Sequence, residues 1–279
     1  MDQPPPGPRT ETATLVVDGR EREWRLYVPS TLPPGPVPLV VGLHGGFGNG
    51  AQFARTARFD EQAEEGGFLA AYPEGTGAIP TWNGGRCCGY AVRENVDDVA
   101  FIEAMVDAIS RQYVVDAARV YAVGHSNGGI MALRLACESD RFIAAGAVAG
   151  SLEVGGCAPT RSVSMLLIHG DADENHPLGG GRGPLSVANV DFTSVADSMA
   201  VLAPAMGCSE ETSDEVSGVI TTTSWAGCPR GVAVQLKVIA GASHAWPGGV
   251  PGLNLGGEPN DLLDATQALW DFFSHLERV

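Results

Sequence analysis

The chain has 279 residues, 44% hydrophobic and 18% charged, with a formal net charge of −16. That length accommodates one α/β domain with a sizeable core. Its 17 basic residues include one lysine, Lys237, and form no basic patch, so nucleic acid and anionic membranes are not expected partners; no run approaches the roughly 18 apolar residues of a membrane span.

Met1 to Arg9 is Pro-rich and lacks the apolar core of a signal peptide. Thr14–Val17 and Glu23–Val28 read as strands joined across Asp18-Gly19, a hairpin signal. Leu39–Leu43 and Phe68–Tyr72 are short apolar runs suited to buried strands, and Ala51–Glu65 between them has a helical pattern. Pro73 to Arg93 reads as a long Gly-rich loop. Val96–Tyr113 carries Val99, Ile102, Met105, Val106 and Ile109 on one helical face. Asp97 and Asp98 at its start suit capping and the helix dipole.

Further along, Ala145–Ala149, Met165–Ile168, Thr221–Trp225 and Val232–Ile239 read as strands, and Ser194–Met206 and Asp261–Leu276 as helices. Strands and helices alternating at this spacing predict a mostly parallel sheet covered on both faces, with the opening hairpin as an antiparallel edge.

Between the Val96–Tyr113 helix and Ala145 lies the most informative stretch. Val120-Tyr121-Ala122-Val123 is an apolar strand, Gly124-His125-Ser126-Asn127-Gly128 follows, and a helical pattern begins at once. A strand that turns abruptly into a helix around Gly-x-Ser-x-Gly is the setting of a nucleophile elbow. The serine hydroxyl is exposed there, and free N–H groups of the helix N-terminus point at the same place. A serine hydroxyl is a weak nucleophile at neutral pH; it needs a base, an orienter for that base and donors for the oxyanion.

On such a fold the partners follow in the order Ser, acid, His. The acid is expected after Met165–Ile168, where Asp173 is the first choice and Asp171 the second. A calcium-loop reading of that segment fails, because its sixth position is His176 and its twelfth Arg182. The base is expected after the last strand, at His244. The turn Leu43-His44-Gly45-Gly46-Phe47-Gly48 supplies oxyanion donors: the N–H of Gly46 and of Asn127, with Phe47 as the alternative to Gly46. Trp82, Trp246, His125 and Phe47 are candidate substrate-binding residues, the two tryptophans as walls for an aromatic or sugar-bearing substrate or else as core packing.

Leu43-His44-Gly45-Gly46, Tyr72-Pro73-Glu74-Gly75, Trp82-Asn83, Cys87-Cys88-Gly89, Gly124-His125-Ser126-Asn127-Gly128, His169-Gly170-x-Ala172-Asp173 and His244-x-Trp246-Pro247-Gly248 run in this order. Together they resemble the polyhydroxybutyrate depolymerase-like esterases, which group with feruloyl and acetyl xylan esterases. The resemblance covers Leu39 to the C-terminus. It implies an α/β-hydrolase fold, secretion and no cofactor, and it places the triad acid at Asp173; no metal and no partner beyond an ester substrate are expected. The implied reaction is hydrolysis of feruloyl or acetyl esters of plant polysaccharide, or of short hydroxyalkanoate esters. Depolymerisation of polyhydroxybutyrate itself and acyl transfer are the alternatives. The chain departs from the family pattern at Asn175-His176-Pro177 and in the Gly-rich Leu178–Ser186. The expected organisation is a disordered linker over residues 1–12 and one catalytic domain over 13–279.

Six cysteines without zinc spacing suggest disulfides and an oxidising compartment. Cys208 and Cys228 are expected to pair. Adjacent Cα atoms lie about 3.8 Å apart across a trans peptide, below the usual bridge span, so Cys87 and Cys88 are expected to bond Cys137 and Cys157 rather than each other.

Overall fold

The computed structural model describes residues 7–251 and 256–276. In chain order the strands are β1 (Arg9–Val17), β2 (Arg20–Val28), β3 (Val37–Leu43), β4 (Leu69–Pro73), β5 (Val115–His125), β6 (Ala144–Val148), β7 (Ser164–Gly170), β8 (Thr212–Ser217), β9 (Ile220–Trp225) and β10 (Val234–Ile239). The helices are α1 (Gly50–Ala57), α2 (Phe59–Gly66), α3 (Gly89–Arg93), α4 (Asp98–Gln112), α5 (Asn127–Glu138), α6 (Val195–Ala205) and α7 (Ala265–Ser274). All ten strands join one sheet in the order β1-β2-β4-β3-β5-β6-β7-β10-β9-β8. The six strands from β4 to β10 in that order are parallel, and a hairpin closes each edge.

Successive side chains of a strand point to opposite faces, and both faces are apolar here. On β7, Leu166 and Ile168 pack with Phe53, Phe59, Leu269 and Phe273 of α1, α2 and α7. Met165 and Leu167 pack the other way, with Leu133, Met199 and Leu202 of α5 and α6. Toward β3, that second face is continued by Phe101, Met105 and Ile109 of α4. This two-sided burial accounts for the near-continuous apolar runs of the central strands.

Several expectations need correction. Arg9–Thr12, assigned to the linker, belong to β1, whose register with β2 begins at Arg9 opposite Val28; residues 1–6 lie outside the described residues. The expected helix over Ala51–Glu65 is two helices, broken at Arg58, which is left-handed with φ of 56°. The break lets Phe53 and Phe59 both meet the Trp246 ring, at 5.3 and 6.1 Å. The loop before Arg93 ends in α3. The second edge hairpin was not anticipated because β8 is exposed along its whole length and carries no apolar alternation. Its Asp214 and Glu215 suit an edge that must not recruit another chain. Asp97 caps α4 through the Ala100 N–H, whereas Asp98 is fully buried in an ion pair with Arg22 at 2.7 Å.

Cys208 pairs with Cys228 as expected. Cys87 pairs with Cys88, against expectation: the exclusion assumed a trans peptide, and this one is cis. Cys137 finds Cys157 instead, with Cα atoms 4.8 Å apart, tying the end of α5 to the loop after β6.

Candidate active site

The loops at the C-terminal ends of β3, β5, β7 and β10 meet over a cleft of about 550 Å³. Ser126 sits between β5 and α5 with φ of 55° and ψ of −121°, a strained conformation for a residue with a side chain. The strain is held by packing. A Cβ on Gly124 would strike the Gly128 carbonyl, and one on Gly128 the Leu43 carbonyl, so only glycine lets strand, turn and helix approach this closely. The Ser126 N–H donates to Val148 O at 2.8 Å, fixing the turn to β6.

His244 brings its Nε2 to 2.9 Å from Ser126 Oγ and its Nδ1 to 2.6 Å from Asp173 Oδ2. With Nδ1–H donated to the carboxylate, Nε2 is the acceptor for the serine proton. Asp173 is buried, and its Oδ1 accepts the N–H groups of Asn175 and His176 at 2.9 and 2.7 Å. Burial alone would raise its pKa. The hydrogen bond and charge of His244, joined by the His176 N–H, outweigh that and hold the carboxyl below its ordinary range. Asp171, the second choice, is exposed and accepts from the Gly241 N–H at 2.6 Å.

The turn after β3 lies directly over the serine: a Cβ on Gly45 would be 3.5 Å from Ser126 Cβ, and one on Gly46 4.0 Å from Asn127 Cβ. The Phe47 N–H donates to Pro80 O at 3.2 Å, so it is already engaged within the turn. Asn127 opens α5, where N–H groups have no intrahelical acceptor. Its side chain is committed elsewhere, accepting from the Trp82 N–H at 2.7 Å and donating to Trp82 O at 3.1 Å.

Trp82 is therefore not a cleft wall. It is fully buried, lies outside the cleft lining, and donates its indole N–H to His44 O at 2.9 Å. His44 donates from Nδ1 to Gly45 O at 2.7 Å and accepts the Gly75 N–H at 3.0 Å. Together they brace the turn beside Ser126. Trp246 borders the cleft. It is 1% exposed, donates to Thr266 Oγ1 at 3.1 Å and is mainly core. Phe47 lines the mouth and is 41% exposed. His125 also lines the cleft, and its Nε2–H donates to the His244 carbonyl at 2.7 Å, pinning the base from behind. Burial pushes His44 and His125 down to about 4, so both rings stay neutral.

A second array was missed in the sequence. Glu153, buried in the loop after β6, accepts from Ser151 Oγ at 2.7 Å and the Thr193 N–H at 2.8 Å, and pairs with Arg86 at 2.8 Å. Because Ser151 gives its proton to Glu153, it accepts from His176 Nε2 at 2.7 Å. The His176 ring stacks on Phe192 at 3.9 Å, and burial holds its pKa well below the ordinary value. This array clamps both ends of the segment 176–193, whose Ser186, Val187, Ala188 and Phe192 line the cleft. The departure at His176 was the one sequence signal for it.

Comparison with known proteins agrees with this architecture. An acetyl xylan esterase from Aspergillus awamori superposes with a TM-score of 0.64 over 95% of this chain and 99% of that chain, at 16% identity. The fold is that of the α/β-hydrolase esterases. A family profile described as "Esterase PHB depolymerase" matches residues 23–178. "Putative esterase NocK" from Nocardia uniformis subsp. tsuyamanensis is 32% identical over 89% of this chain and 78% of its own length. "Feruloyl esterase C" from Emericella nidulans is 29% identical over 90% of this chain and 83% of its own. The chain belongs to the PHB depolymerase esterase family and is a carboxylic ester hydrolase.

Proposed function

We propose that Ser126, His244 and Asp173 act as a catalytic triad and that the N–H groups of Gly46 and Asn127 form the oxyanion hole. The observation that carries this reading is the unbroken hydrogen-bonded chain from Ser126 Oγ through His244 to Asp173. Ser126 Oγ attacks the ester carbonyl while its proton passes to His244 Nε2. Asp173 holds the imidazole in its tautomer and stabilises the imidazolium. The tetrahedral oxyanion is met by two N–H groups that need no rearrangement. Collapse expels the alcohol, which takes the proton from His244 and leaves an acyl-enzyme. Water then gives a proton to His244 and attacks, and Ser126 leaves with that proton as the acid is released.

Among the ester classes, a hydroxycinnamoyl ester fits the site best. The cleft is far larger than an acetyl group needs, and exposed Phe47, Ile79, Val187 and Val250 form an apolar mouth. The feruloyl esterases among the relatives support this choice. We infer further that the chain from Arg9 onward works as one catalytic unit and that the protein operates in an oxidising, extracytoplasmic compartment, since all six cysteines are bridged. Turnover of methyl ferulate, acetylated xylan, a short hydroxybutyrate ester and polyhydroxybutyrate film tests the substrate. The highest kcat/KM is expected on methyl ferulate, and a preference for either acetyl or hydroxybutyrate ester would overturn that choice. An added alcohol acceptor, with products analysed, separates water from alcohol as the acceptor of the acyl group.

A further inference from the structure

The cleft differs in charge from the rest of the molecule. The chain carries 33 Asp and Glu among 279 residues, yet among the described residues no carboxylate lines the cleft. One arginine does, Arg93 at the end of α3. Its side chain is exposed. Most described arginines are held in ion pairs, such as Arg22 with Asp98, Arg25 with Asp60 and Arg134 with Glu138. No described side chain pairs with the Arg93 guanidinium. Solubility gives no reason to keep acids out of a cleft, and a net charge of −16 repels anions from the molecule as a whole. An acid-free cleft with one unpaired guanidinium at its mouth is electrostatically complementary to an anion. The planar fork of arginine matches the two oxygens of a carboxylate.

We propose that Arg93 is a specificity-determining residue that binds a carboxylate carried by the ester substrate. The inference rests on the esterase reading of Ser126 and goes beyond it, because it assigns a charge to the substrate. Arg93 is exposed at the rim, where an ion pair contributes up to about 1 kcal/mol, which is about fivefold in affinity. The contact is made on binding and kept through the reaction, so it acts on KM more than on kcat.

The test compares matched neutral and charged esters. Mono-4-nitrophenyl succinate against 4-nitrophenyl butyrate places the carboxylate on the acyl side. 4-Carboxyphenyl butyrate against phenyl butyrate places it on the alcohol side. For at least one pair, Arg93→Gln is expected to lower the charged-to-neutral ratio of kcat/KM about fivefold through KM. Arg93→Lys is expected to restore part of it, and rising salt to erode the wild-type preference. Arg111→Gln, an exposed arginine outside the cleft lining, should leave the ratio as in wild type. An unchanged ratio in Arg93→Gln for both pairs would overturn the proposal and reduce Arg93 to a charge at a helix end. The serine reading fails on a different readout, neutral-ester turnover that survives Ser126→Ala.

Discussion

The elbow around Ser126 and the segment 176–193 line the same cleft but are held in opposite ways. At the elbow, backbone meets backbone: Gly124, Gly128 and the Leu43 carbonyl leave no room for a side chain, and the strained serine follows from that contact. The segment 176–193 is held by side-chain hydrogen bonds instead, from Asp173 three residues away and from Ser151, Glu153 and Arg86 remote in the chain. A nucleophile must be placed to within a fraction of an ångström, so its support is steric, backbone against backbone. A substrate wall can be exchanged without disturbing the chemistry, so its support can be a few replaceable hydrogen bonds. Losses of activity should therefore be steep and substrate-independent on the triad side, and shallow and substrate-dependent on the wall side.

The largest expected effect is on the triad. His244→Ala should lower kcat by about 10⁶ on every ester, as triad members act as a unit. Circular dichroism should show the fold retained. A loss confined to large esters would erase the contrast between the two regions. Asp173→Asn should cost on the order of 10⁴ in kcat through the wrong imidazole tautomer, while Asp171→Asn, whose exposed carboxylate accepts the Gly241 N–H, should stay within about threefold of wild type, as expected for a group outside the reacting set. Steady-state kinetics with the two results reversed would move the acid to Asp171.

Glu153→Ala sharpens the comparison from the wall side. It leaves buried Ser151 and the half-buried Thr193 N–H without their acceptor, at about 1–3 kcal/mol for the buried group, so urea denaturation should show a stability loss of that order. KM for methyl ferulate should rise about tenfold, the size of a lost 1.4 kcal/mol of positioning, with a smaller rise for 4-nitrophenyl acetate. Equal losses on both esters would place Glu153 with the triad.

The prediction furthest from catalysis concerns stability against pH. His44 and His125 titrate at about 4 when folded and near 6.5 when unfolded. Their contribution is fully present above pH 6.5 and is lost as pH falls toward 4, where the unfolded chain takes up protons that the folded protein refuses. Each adds a slope of at most about 1.4 kcal/mol per pH unit in that window. Denaturant titrations from pH 7 to 4 check it; flat stability across the window would mean that these rings are not held neutral.

The same contrast explains what was legible in the sequence. The sheet, its order of helices and the Ser126–Asp173–His244 set follow from apolar periodicity and from the positions of strand ends, both local signals. Asp173 was preferred to Asp171 from the sequence and the family pattern, and the contacts of the two side chains, with His244 and with the Gly241 N–H, agree with that preference. Trp82 read equally well as wall or core, since its role depends on Asn127 and His44, remote in the chain. Ser151 and His176 meet because β6 and β7 are neighbours and end side by side. The all-polar β8 and the left-handed Arg58 had no periodic signature.

The central claim is that Ser126 is the nucleophile, and active-site labelling tests it most directly. A fluorophosphonate should form one adduct, mapped by peptide mass spectrometry to Ser126, with loss of ester hydrolysis in step with labelling. Ser126→Ala should fold, take no label and lose turnover by about 10⁶. Labelling of a different serine that abolishes activity, or a Ser126→Ala protein that hydrolyses esters well above the uncatalysed rate, would contradict the account.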